Sequence, residues 1–198
     1  TLERIDMRAL IAALVVVLGV VGAWLGYEIY RETASPSGEP YGVPFNLVDQ
    51  NGDPITEQAF LGHPTVLFFG FTHCPEVCPT TLYELSSWFN ELGDDGSDIK
   101  AYFVSIDPER DTPELLGGYL SNVTDRVIGI TGDPEKVREM ARGFNIYFKR
   151  IETEDGDYTM DHTASIILLD SNGHFRKTIA WGENSETAMQ KLRDLAKT

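Results

Sequence analysis

Hydrophobic positions along the chain form one long block and then a series of short ones. Residues 9–27, ALIAALVVVLGVVGAWLGY, carry no charge over 19 positions. At about 1.5 Å per residue, a helix of this length matches the hydrocarbon thickness of a bilayer. Trp24, Tyr27 and Tyr30 gather toward its C-terminal end, where amphipathic rings favour the membrane interface. A cleavable signal peptide has a shorter apolar core, about 7–15 residues, followed by small residues at a cleavage site. Here the run is longer and Glu28, Arg31 and Glu32 follow it, so it is expected to be a retained transmembrane anchor. Arg4 and Arg8 precede the span and Arg31 follows it, which orients the N-terminus to the cytoplasm. The expected organisation is a short segment 1–8, an anchor 9–27, a flexible Pro/Gly/Ser linker 28–41 and one domain 42–198. The domain would then lie on the periplasmic side of the inner membrane, held by a single pass.

Within 42–198 the hydrophobic period alternates between two and 3.6. Strands are expected over 45–49, closed by a turn at Asn51-Gly52, and over 65–71. The second, TVLFFGF, is apolar throughout, as in a strand buried on both faces. Leu82, Leu85, Phe89 and Leu92 mark a helix over 79–92, and 101–106 reads as another buried strand. Asp111-Thr-Pro113 starts a helix, with Pro at its first position. A short strand covers 127–130, and Asp133-Pro134 opens a helix that buries Val137, Met140 and Phe144. Residues 146–151 suit an edge strand. Residues 163–169 and 175–181 flank a turn at 170–173, and Asn184 caps a last helix. A β-α-β-α order ending in a hairpin and helix predicts a mixed sheet covered by helices.

Charge narrows the function classes. Sixteen Lys and Arg against 31 Asp and Glu give a net charge of −15. Nucleic-acid binding needs cations to displace phosphate counterions, so no nucleic-acid partner is expected. Two cysteines exclude both a disulfide-dense scaffold and a four-cysteine zinc site.

Those two cysteines stand in Phe71-Thr-His-Cys74-Pro-Glu-Val-Cys78-Pro79, where the buried strand gives way to a helix. Ligand sites of open α/β sheets collect at strand C-terminal ends, and the helix dipole there favours thiolate. Two thiolates one helical turn apart can form a disulfide or grip one soft metal ion. His162 stands just before the expected strand 163–169. Alone, such a histidine is more often a loop or core residue. Beside a cysteine pair it becomes a third ligand suited to Cu(I), Cu(II) or Zn(II). A closed zinc site needs a fourth protein ligand, and none is evident. His73 points elsewhere if Cys74 binds, His63 and His174 read as surface residues, and Asp161 as solvated. Met160 reads as packing. Asp107 and Asp111 are explained by a turn and a helix cap.

Four segments together are distinctive: GFTHCPEVCP (70–79), SIDPERDTP (105–113), GITG (129–132) and MDHT (160–163). In order and separation they resemble the SCO/SenC family of copper proteins, over about residues 42–197. The resemblance implies an α/β thioredoxin-like fold, with a central mixed sheet flanked by helices and an added N-terminal β-hairpin. It implies that Cys74, Cys78 and His162 bind one copper ion, as Cu(I) and Cu(II), and that Cys74 and Cys78 can form a redox-active disulfide. It also implies a task, delivery of copper to the binuclear site of cytochrome c oxidase subunit II. Another copper chaperone or a thiol reductase would be a further partner. The expected protein is thus a metallochaperone and not an enzyme. A thiol:disulfide oxidoreductase that reduces the cysteines of that site is the alternative, and a peroxidase or redox sensor ranks behind both.

Overall fold

The computed structural model describes residues 7–34 and 38–198, and within the first helix the side chains of Ile11 and residues 14–26. Two compact units result, one up to Gly38 and one from Glu39 to Thr198. The first contains a single helix, α1 (Met7–Ala34), of 28 residues. It continues past the apolar block, so residues 28–34, expected as linker, are helical. The expected segment 1–8 and the linker's residues 35–37 lie partly or wholly outside the described residues. Leu14, Val15, Val16, Val17 and Leu18 span more than one turn, and each is more than half exposed, so the helix is apolar all round. Among the described residues no helix is long and apolar enough to cross a membrane. The described side chains of α1 make up only part of the span 9–27.

The second unit is built on one seven-stranded sheet. Its strands are β1 (Asn46–Asp49), β2 (Pro54–Thr56), β3 (Thr65–Gly70), β4 (Lys100–Ser105), β5 (Val127–Thr131), β8 (Ile166–Leu169) and β9 (Phe175–Ile179). Two further strands, β6 (Phe148–Glu152) and β7 (Tyr158–His162), form a separate antiparallel pair. The order in the large sheet is β2-β1-β5-β4-β3-β8-β9. β3, β4 and β5 run parallel, and the flanking pairings are antiparallel, so the sheet is mixed as expected. β1 and β2 make the expected N-terminal hairpin around Asn51-Gly52.

The central strand explains the burial. All six residues of β3 are buried, as expected for a central strand covered on both faces, and α2 (Val77–Leu92) buries Cys78, Leu82, Leu85 and Phe89 in the same core. Helix starts follow local chemistry. Thr112 caps α3 (Pro113–Ser121), Asp133 caps α4 (Pro134–Gly143) and Asn184 caps α5 (Ser185–Leu195), each accepting backbone N–H bonds.

Four expectations change. The edge strand over 146–151 is displaced to β6 and joins β7 instead of the main sheet. Residues 163–165 are not strand, so His162 closes β7 and does not precede β8 directly. Asp111 is not the cap of α3, since the neighbouring Thr112 hydroxyl takes that place. His63 and His174 are half-buried: His63 contacts Thr65 and the Pro64 carbonyl, and His174 lies 3.4 Å from Asp170.

Candidate metal centre

β3 ends at Gly70 with both of its faces filled, and the chain leaves it at the C-terminal edge of the parallel strands. The short segment 71–76 then turns into α2. Cys74 lies in that turn and is half-buried, while Cys78 lies in the first turn of α2 and is fully buried; both thiols are free. The helix has no side-chain cap at Glu76. The Cys74 sulfur fills the role, accepting the backbone N–H of Cys78 at 3.3 Å. One cysteine therefore sits at the positive end of the helix and the other points into the core.

Gly70 makes the core side possible. A Cβ placed there would lie 2.8 Å from Cys78 Sγ and 2.8 Å from the Phe103 ring. Only glycine lets the strand pass this close to the sulfur.

β7 brings in the third group. His162 Nε2 lies 3.8 Å from Cys78 Sγ, and its ring meets Phe71 edge-on at 5.8 Å. Nδ1 is 2.9 Å from the Thr163 carbonyl. A carbonyl only accepts, so Nδ1 carries the proton and the Nε2 lone pair faces the sulfurs. Asp161 is exposed and takes no part, and the backbone supplies the orienting acceptor. Met160 packs against the core, as expected.

The three ligand atoms all lie within 4.8 Å of one another. Metal–sulfur and metal–nitrogen bonds of about 2.0–2.3 Å set three ligands around one ion roughly 3.5–4 Å apart. The donor set of two sulfurs and one neutral imidazole suits a soft ion. The expected trio Cys74, Cys78 and His162 is thus one cluster suited to a metal ion.

The electrostatics separate the two thiols. The Cys78 S–H donates to Cys74, whose thiol is lowered to about 4, and the Cys78 backbone N–H assists. Cys78 is raised well above the usual thiol range by the same shared proton and by burial. One proton serves two sulfurs, with the charge on the outer one.

Asp111 is the residue whose part the sequence pattern did not reveal. It is fully buried and accepts from the Thr72 N–H (3.1 Å), the Thr72 hydroxyl (2.6 Å) and the Ser105 hydroxyl (2.6 Å). It therefore ties the cysteine turn to the end of β4. Burial raises its pKa, and those three donors oppose the rise. Asp107 is buried as well. It accepts from Arg110 Nε and from the Tyr158 hydroxyl at 2.9 Å. The wide sequence separations of Thr72 from Asp111 and of Tyr158 from Asp107 hid both roles.

The fold and site together define an α/β thioredoxin-like domain carrying a Cys-Cys-His group suited to a metal ion. The chain belongs to the SCO1/SenC family, whose model matches residues 33–197. It is 38% identical over 156 residues to the mitochondrial protein SCO2 of Saccharomyces cerevisiae, covering 77% of this chain and 52% of that protein. A SCO2-like protein of Rickettsia typhi is 31% identical over 193 residues, 93% of this chain and 95% of that one. The chain thus spans about half the length of the yeast relative and nearly all of the rickettsial one. Solved structures with copper bound are among those it resembles. Bradyrhizobium japonicum ScoI with copper bound is 42% identical, with a TM-score of 0.72, over 78% of this chain and 99% of that one. Yeast Sco1 with copper bound is 31% identical, with a TM-score of 0.73, over 81% and 90%.

Proposed function

We propose that this protein is a membrane-tethered copper chaperone that holds one copper on Cys74, Cys78 and His162. It passes that copper to the binuclear site of cytochrome c oxidase subunit II. The observation that carries the reading is the convergence of two sulfurs and an oriented imidazole Nε2 within 4.8 Å. The copper-bound relatives support the choice of ion. Three protein ligands leave copper coordinatively unsaturated, so an acceptor thiolate can bond to it before a donor sulfur departs. The tether is supported by the uncharged stretch 9–27 and by the all-round apolar surface of α1. The arginine distribution supports an inner-membrane position, with the domain on the periplasmic side.

The test is a copper titration of the reduced full chain in detergent, beside His162→Ala. The expected result is one tightly held copper per chain, with a thiolate-to-Cu(II) absorption that is lost or altered in the variant. Equal retention and equal spectra in both proteins would refute the three-ligand site.

A second reading, reduction of the acceptor's cysteines, is favoured by the half-buried, low-pKa sulfur of Cys74 backed by the buried thiol of Cys78. In that reaction the Cys74 thiolate attacks an acceptor disulfide and Cys78 resolves the mixed disulfide, leaving Cys74–Cys78 oxidised. A thiol reductase would then reset the pair. A Cys74–Cys78 potential more oxidising than the acceptor's excludes it.

A further inference from the structure

The metal cluster is assembled from two sheets that share no ladder. Cys74 and Cys78 hang from the seven-stranded sheet, and His162 from the β6–β7 pair. None of the ten residues in β6 and β7 is fully buried. A cavity of about 370 Å³ lies under the pair, lined by Phe148, Tyr158 and Met160 from the hairpin and by Ile106, Pro108 and Pro134 opposite. Apolar packing alone does not fix this hairpin over the cysteines.

Polar ties do. Among the described residues, the hydrogen bonds and ion pairs that link residues 147–163 to the rest of the domain, apart from the contacts of His162 with the two cysteines, all end on residues 107–110. The Tyr158 hydroxyl donates to Asp107 at 2.9 Å. Arg110 lies over the Tyr158 ring at 3.7 Å and donates through Nη1 to the Tyr158 carbonyl at 3.0 Å and to Asp157 at 3.3 Å. Arg150 covers the ring at 3.6 Å and pairs with Glu109 at 3.6 Å. Tyr158 is thus stacked by two guanidiniums and pinned at its hydroxyl. The turn that pins it is itself closed, with Arg110 and Asp111 N–H both donating to the Asp107 carbonyl. Its last residue, Asp111, holds Thr72 two positions before Cys74. One turn therefore grips both halves of the metal site.

We propose that Tyr158 is a positioning residue for the copper site, clamped by Asp107, Arg110 and Arg150 so that β7 presents His162 Nε2 to the two sulfurs. The lever is four residues, about 13 Å along the strand. Releasing its far end leaves the dithiol in place and frees the imidazole. The inference rests on the three-ligand copper reading, and the test separates the two.

Hydrogen exchange on the metal-free full chain comes first. Tyr158→Ala is expected to speed exchange in β7 on the order of tenfold, with α2 unchanged. In the copper-loaded protein its Cu(II) absorption and EPR signal are expected to move toward those of His162→Ala, while Tyr158→Phe, which keeps the ring, falls between. Wild-type exchange in β7 together with a wild-type copper signal in Tyr158→Ala overturns the inference. If Tyr158→Ala does not fold, Arg110→Lys, which keeps the charge and loses the fork and stack, takes its place. It is expected to move β7 exchange and the copper signal in the same directions, and wild-type values of both overturn the inference equally. A wild-type copper signal indifferent to His162→Ala overturns the copper reading, and the exchange result still decides whether Tyr158 holds β7.

Discussion

Gly70→Ala tests the tightest contact of the site. The added methyl would lie 2.8 Å from Cys78 Sγ and 2.8 and 2.9 Å from two carbons of Phe103. Unstrained contacts of this kind are about 3.5–4.0 Å, so roughly 0.7 Å or more of displacement is forced. Cys78 and Phe103 are fully buried, so neither has open space to move into. Overpacking of this kind costs about 1–3 kcal/mol, or roughly 2–12 °C in Tm for a domain of this size. A shift of that size is large beside the 3.8 Å that separates Cys78 Sγ from His162 Nε2. The copper absorption should therefore change with the melting temperature. Gly129→Ala is the control. Its methyl would lie 2.7 Å from Leu116 Cγ, on a strand two places from β3. It should melt lower by a similar amount and keep the wild-type copper spectrum. Thermal melts by circular dichroism and copper absorption on the full chain read both. Wild-type melting and spectrum in Gly70→Ala would refute the reasoning, as would an equal spectral change in Gly129→Ala.

Two further outcomes follow from the electrostatics. Because the Cys74 thiol is lowered to about 4, its alkylation by iodoacetamide should stay nearly flat from about pH 8 down to pH 5. An ordinary thiol would slow about tenfold per unit over that range, and a rate that does so here would refute the shared-proton arrangement. Asp111→Ala leaves the Thr72 N–H and two hydroxyls without their acceptor, at a cost of about 3 kcal/mol. It should also loosen the cysteine turn, seen as faster exchange of the amides in 72–78; unchanged exchange there would show that Asp111 does not hold the turn.

The sequence was most legible where one physical requirement dominates. Residues 65–70 had to be a strand buried on both faces, and the Asp133 and Asn184 caps announced their helices. The cysteine pair was legible because a strand-to-helix junction with two thiols has few structural uses. The β6–β7 hairpin was not. The positions sharing the His162 face are Phe148, Arg150, Glu152, Tyr158 and Met160, so charge interrupts the apolar alternation that marks a strand. β2 has three residues, too few to show a period. Asp111 misled for another reason. A buried carboxylate that gathers donors 39 residues away looks, in sequence, like a helix cap beside a proline.

The unequal burial of the two sulfurs gives the copper site a front and a back. Cys78 faces the core and Cys74 faces out, with the charge already on the outer sulfur. In the handover proposed above, an incoming thiolate would meet the ion on the side where Cys74 and His162 are half-buried, so the bond to Cys74 would be open to exchange while the bond to Cys78 would stay shielded. The proposed handover would then run by single-bond replacements, with the order set by which cysteine the helix buries.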